Sequence, residues 1–99
     1  MFIHTVYFWL NDDAPANVRD DMIAACRNSM SKIPTARNVW AGTPAMTPRP
    51  VVDNTYDVGL CVVLDDVKGH DEYQAHALHQ EFLANFKKHW KRVQIYDFH

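Results

Sequence analysis

The chain reads as an α+β domain of β-α-β-β-α-β order with a four-stranded antiparallel sheet, the ferredoxin-like arrangement. Three observations predict it. Four short segments are rich in β-branched and aromatic residues. Two longer segments carry apolar residues at steps of three and four. The two kinds of segment follow one another in that order along 99 residues. A chain of this length is expected to form one domain, residues 1–99, whose thin core gains from a partner subunit.

Phe2 to Leu10 is the first strand. Phe2, His4, Val6, Phe8 and Leu10 share one face and Ile3, Thr5, Tyr7 and Trp9 the other, so both faces need cover. Asn11-Asp12-Asp13 and Pro15 mark a turn and a helix entry. The first helix is expected from about Ala16 to Lys32. Val18, Met22, Ala25, Cys26, Ser29, Met30 and Ile33 form its buried stripe, and Pro34 stops it. Asn38 to Gly42 is a short strand around Val39 and Trp40. The prolines at 44, 48 and 50 make the stretch up to Thr55 a loop.

Tyr56 to Leu64 is the most clearly patterned strand. It carries Tyr56, Val58, Leu60, Val62 and Leu64 on one face and Gly59, Cys61 and Val63 on the other. A helical region is expected from about Val67 to Trp90, with a break near Ala77 and with His79, Phe82, Leu83, Phe86 and Trp90 as its apolar stripe. Lys87, Lys88, Lys91 and Arg92 gather at its C-terminal end, where the helix dipole favours cations. Val93 to Phe98 is the last strand.

Two helical segments cover only one face of such a sheet. The other keeps Tyr7, Trp9 and Val63, an apolar patch of the kind that marks an interface. Two copies packed sheet to sheet would hide it, so a homodimer is expected. The composition, 47% hydrophobic and 22% charged, is that of a globular domain, and the net charge of −2 leaves no basic excess for a phosphate backbone. No nucleic-acid partner is expected. No apolar run is long enough to cross a bilayer, and nothing frames Phe2 to Leu10 as a signal peptide. Cys26 and Cys61 show no CxxC spacing and read as buried reduced thiols, which implies a cytoplasmic setting.

Several pieces carry a family resemblance across essentially the whole chain. They are Phe2-Ile3-His4-Thr5-Val6, Lys32-Ile33-Pro34, Tyr56-Asp57-Val58, the closing Val93 to Phe98, and above all Asp71 to Phe82. The last of these is similar to the Tyr-x-x-His-Pro-x-His-x-x-Phe segment of the stress-responsive α/β-barrel (Dabb) family. Ala77 stands where that family usually has proline, which leaves a continuous second helix open. The resemblance implies a dimeric α/β barrel. Most members have no established chemistry, while some plant members look like polyketide cyclases that use a first-strand histidine and a Tyr/His pair on the second helix. The matching positions are His4, Tyr73 and His79.

The residues themselves allow the same trio to meet. His4 lies on the helix-facing side of its strand, and His79 lies on the helical stripe that should cover that side. Tyr73 precedes His79 by six residues. A neutral imidazole can take a proton α to a carbonyl, and a tyrosine hydroxyl can bond the developing enolate oxygen, with no cofactor. Such histidines are also satisfied by ordinary hydrogen bonding, and Tyr73 by core packing.

His76 and His79, three apart on a helix, could join His4 as three metal ligands, but the chain has no HExxH, and no metal is assigned. His70, His89 and His99 read as surface residues. Tyr7, Trp9, Trp40 and Trp90 read as core or interface packing. The function expected is binding of a small apolar or aromatic molecule, or cofactor-independent acid–base catalysis of cyclase or lyase type. A non-enzymatic structural or stress-associated homodimer is the alternative.

Overall fold

Alternation along the strands sorts the side chains between a packed layer and an open face. The computed structural model describes residues 1–99. In chain order the elements are β1 (Phe2–Leu10), α1 (Val18–Asn28), a 3₁₀ turn (Met30–Lys32), β2 (Asn38–Gly42), β3 (Val58–Leu64), α2 (Val67–Ala75), α3 (Ala77–Phe86), a second 3₁₀ turn (Lys87–His89) and β4 (Trp90–Phe98). All strand pairs are antiparallel, in the order β2-β3-β1-β4, and the sheet is open. This is the ferredoxin-like arrangement the sequence predicts.

On the packed side, Phe2, Val6 and Phe8 of β1 and Val58, Leu60, Val62 and Leu64 of β3 meet Val18, Met22 and Cys26 of α1, together with Tyr73 and Phe82, in one core cluster. The register sets His4 beside Val62 on β3 and beside Asp97 on β4. Edge strand β4 projects Val93 and Ile95 toward the same side, next to Phe8 and Val6, yet both are exposed. The helices cover β1 and β3 and leave this flank uncovered.

On the opposite face, Trp40, Tyr96 and Phe98 are each more than half exposed. Ile3, Tyr7, Trp9, Cys61 and Val63 are half-buried around them. Tyr56 joins this face and not the helix side to which its alternation assigned it. The reason is local. Leu10 N–H donates to the Asp57 carboxylate at 2.8 Å, and Asp57 N–H donates to Phe8 O at 2.8 Å, so the chain turns before β3 begins at Val58. The Tyr56 ring then packs 5.0 Å from Tyr7 and 6.4 Å from Trp9. Gly59 makes room for it, since a Cβ there would lie 3.3 Å from the Tyr56 ring.

Other boundaries also differ from the sequence reading. The first helix stops at Asn28 and gives way to a 3₁₀ turn. Trp90 opens β4 and does not close a helix, packing 4.6 Å from Phe8 and 5.8 Å from Phe82. The second helical region is broken at His76, without a proline. His76 takes extended backbone angles, and its Nδ1 accepts the Leu78 N–H at 3.1 Å, capping α3. Losing an N-cap side chain typically costs about 1 kcal/mol. His76→Ala is expected to lower stability by that amount in urea unfolding, and His76→Asn, which can still accept, by clearly less. Equal stabilities for wild type and His76→Ala would mean that the break does not depend on this cap.

Candidate functional site

The register and the helix break bring His4, Tyr73 and His79 to one cavity between sheet and helices. The cavity has a volume of about 130 Å³, with Val6, Phe8, Leu60 and Phe82 among its apolar walls. Val93 and Ile95 form its β4 wall and are exposed, so it opens along that edge. The Tyr73 ring sits 6.1 Å from His4 and 5.1 Å from His79, centroid to centroid. All three residues are buried.

His4 is held by the adjacent strand. Its Nδ1 lies 2.6 Å from Asp97 Oδ1, which fixes the proton on Nδ1 and leaves the lone pair on Nε2. Burial pushes the His4 imidazole below its ordinary value, and the Asp97 carboxylate only partly offsets this. His79 is also pushed down, first by burial and then by the neighbouring His4 and His70. Its Nδ1 is buried and has no hydrogen-bond partner in the protein. The Tyr73 hydroxyl meets only Met30 Sδ, at 3.6 Å, and burial pushes the phenol upward. A thioether is a weak acceptor, so the hydroxyl remains available to a better one.

Two lowered histidines make stability depend on pH. Below about 6.5 the unfolded imidazoles take up protons while the folded ones stay neutral, so the unfolded state binds more protons. Stability is therefore full above that value and is lost as pH falls below it, by up to about 1.4 kcal/mol per pH unit for each histidine. Thermal melts between about pH 7.5 and pH 5.5 should show this loss, reduced in His79→Gln. A flat profile would contradict the burial of neutral imidazoles.

Three neighbours of the trio were not legible in the sequence as site residues. His70, read there as a surface residue, is half-buried and packs 5.1 Å from the His4 ring and 4.9 Å from Phe2. Gln74, one turn further along α2, places its side-chain nitrogen 3.4 Å from Nε2 of both His4 and His70. Asp97 reaches His4 only through the β1–β4 register. The i, i+4 spacing of His70 and Gln74 was the available signal for one helical face. His76 does not join His4 and His79: it caps α3 through Nδ1 and is not among the residues lining their cavity. Cys26 is free, buried and pushed up to about 12 by that burial, whereas Cys61 is free and only half-buried on the open face. No helix is long and apolar enough to cross a membrane.

No curated protein matches the chain in sequence. Among solved structures it is similar to a dimeric ferredoxin-like protein of unknown function from Thermobifida fusca YX, with 23% identity over 98% of this chain and 88% of that one and a TM-score of 0.82. It is similar to a Dabb family protein with a ferredoxin-like fold from Mesorhizobium loti, with 17% identity over 99% and 94% of the two chains and a TM-score of 0.78. It is also similar to a hydroxynitrile lyase from Passiflora edulis, with 14% identity over 98% and 90% and a TM-score of 0.79. At these identities the likeness establishes the fold, which is found both in proteins of unknown function and in an enzyme. The model of the stress responsive A/B barrel domain (Dabb) family matches residues 2–99, and the chain belongs to that family.

Proposed function

We propose that this protein is a homodimeric, cofactor-independent acid–base catalyst acting on a small apolar or aromatic carbonyl compound. The observation that carries this reading is the meeting of His4, Tyr73 and His79 at one apolar cavity, with His79 Nδ1 unpartnered and the Tyr73 hydroxyl on a weak acceptor. His4, with its tautomer set by Asp97, presents Nε2 as the base that removes a proton α to the carbonyl. Tyr73 donates to the oxygen as enolate charge develops, and His79, whose Nδ1 has no partner, serves as a second acid–base group. The lowered histidines are neutral at pH 7, as a base requires.

The cavity size narrows the substrate. A dry cavity near 150 Å³ accommodates benzene. About 130 Å³ therefore suits a single ring or a short branched chain, and is small for a long poly-β-keto chain. A hydroxynitrile lyase of the same fold supports a small substrate. The dimer is supported by the apolar open face and by structural relatives described as dimeric. The two free cysteines support a reducing, cytoplasmic setting.

Cyclohexanone is a suitable probe, with one ring and one carbonyl. Incubated in D₂O with the protein, it should exchange its α-protons faster than in buffer, as followed by NMR. Exchange no faster than in buffer would leave a non-enzymatic homodimer as the better reading.

A further inference from the structure

We infer that Gln74 is a positioning residue for the base of this site: its side-chain amide bridges Nε2 of His4 and Nε2 of His70 and holds both rings as the Nδ1–H tautomer. The catalytic consequence for Gln74 rests on the acid–base reading above, and the bridge itself does not. His4 Nδ1 lies 2.6 Å from the Asp97 carboxylate, and His70 Nδ1 lies 3.1 Å from that of Asp71. An ionised carboxylate only accepts, so each Nδ1 carries the proton and each Nε2 keeps a lone pair. Both lone pairs face one atom, the Gln74 side-chain nitrogen, at 3.4 Å each. An amide nitrogen has two N–H donors, one for each ring. The amide turned over would set its oxygen, an acceptor, against two acceptors. Asp97, His4, Gln74, His70 and Asp71 thus form one chain of polar contacts from β4 across β1 to α2.

Gln74 also stands where the chemistry is. It lines the cavity with His4, Tyr73 and His79, and His70 does not. The 3.4 Å contacts are long and therefore weak. A substrate can displace the amide from His4 while His70 still holds it. Until then Gln74 steadies the His4 ring at Nε2 as Asp97 does at Nδ1. The titratable groups facing His4 are Asp97 on β4, His70 on α2 and His79 on α3, with the Tyr73 ring beside it. Of these only Asp97 favours a charged imidazole.

Gln74→Glu reverses the hydrogen bonding at nearly constant size. Its carboxylate only accepts, so both Nε2 atoms should take up protons. In ¹⁵N-histidine-labelled wild type without substrate, His4 and His70 should show the Nδ1–H tautomer at about pH 7.5. In Gln74→Glu the His4 titration midpoint should rise by at least about one pH unit. The pH–rate profile of α-proton exchange should move to higher pH with it, because the base is neutral only above its midpoint. A merely structural loss would lower the rate without moving the profile. Gln74→Leu lacks both donors. It should leave His4 as Nδ1–H through Asp97 and release His70 into a mixture of tautomers. An Nε2–H tautomer on either ring of the wild type, or ring signals unchanged in both variants, would overturn the inference. Ring signals that respond as expected in a protein showing no exchange would remove the catalytic reading while supporting the bridge.

Discussion

Cys61→Arg is expected to convert the proposed homodimer to a monomer. Cys61 lies near the middle of the open face, paired with Thr5 on one side and Trp40 on the other. In a sheet-to-sheet dimer each copy would carry an arginine into the interface beside Tyr7, Trp9, Trp40 and Val63. An uncompensated buried charge costs several kcal/mol. Light scattering should show about half the wild-type mass at micromolar concentration, and the melting temperature should fall because the exposed face loses its cover. The far-ultraviolet dichroism should persist, since the core on the helix side does not involve this residue. Cys61→Ala should stay dimeric. A Cys61→Arg protein that remains a dimer would place the interface elsewhere on the molecule.

His79→Ala is expected to lower α-proton exchange of cyclohexanone by about 10²–10⁴-fold, the usual range for an acid–base group. His79→Gln keeps most of the side-chain volume and should fall as far, which separates chemistry from packing. Tyr73→Phe removes one donor to the enolate oxygen and should cost about 10²–10³-fold. Its effect on stability should be small, because the hydroxyl it deletes bonds only a thioether. Rates near wild type in all three would remove these side chains from the reaction, whatever else the cavity does.

Much of the fold was legible because β1 and β3 bury one face and half-cover the other, and period-two alternation reports that directly. Errors gathered where a local bond overrode the pattern. The Asp57 contacts to β1 turned Tyr56 to the open face, and the His76 cap broke the helix without the family's proline. Trp90 was assigned to a helical stripe because its spacing from Phe82 and Phe86 suits a helix. It packs in the same cluster from the start of a strand instead.

The site was legible in part. The trio could be placed on one side of the sheet from β1 alternation and the spacing along the second helical region. The supporting shell could not. Asp97 depends on a pairing between residues 93 positions apart. His70 sits on the helix that precedes the break, and its closeness to His4 follows from how α2 crosses β1.

The most direct test is a titration of ¹⁵N-histidine-labelled protein with cyclohexanone, with each ring assigned. The His4 and His79 ring signals should shift together and saturate with a single dissociation constant, while those of His76 and His89 stay in place. Saturation would establish that a small carbonyl compound occupies the cavity these residues line. Unmoved His4 and His79 signals up to about 10 mM ligand, a binding energy weaker than about 3 kcal/mol, would contradict the account.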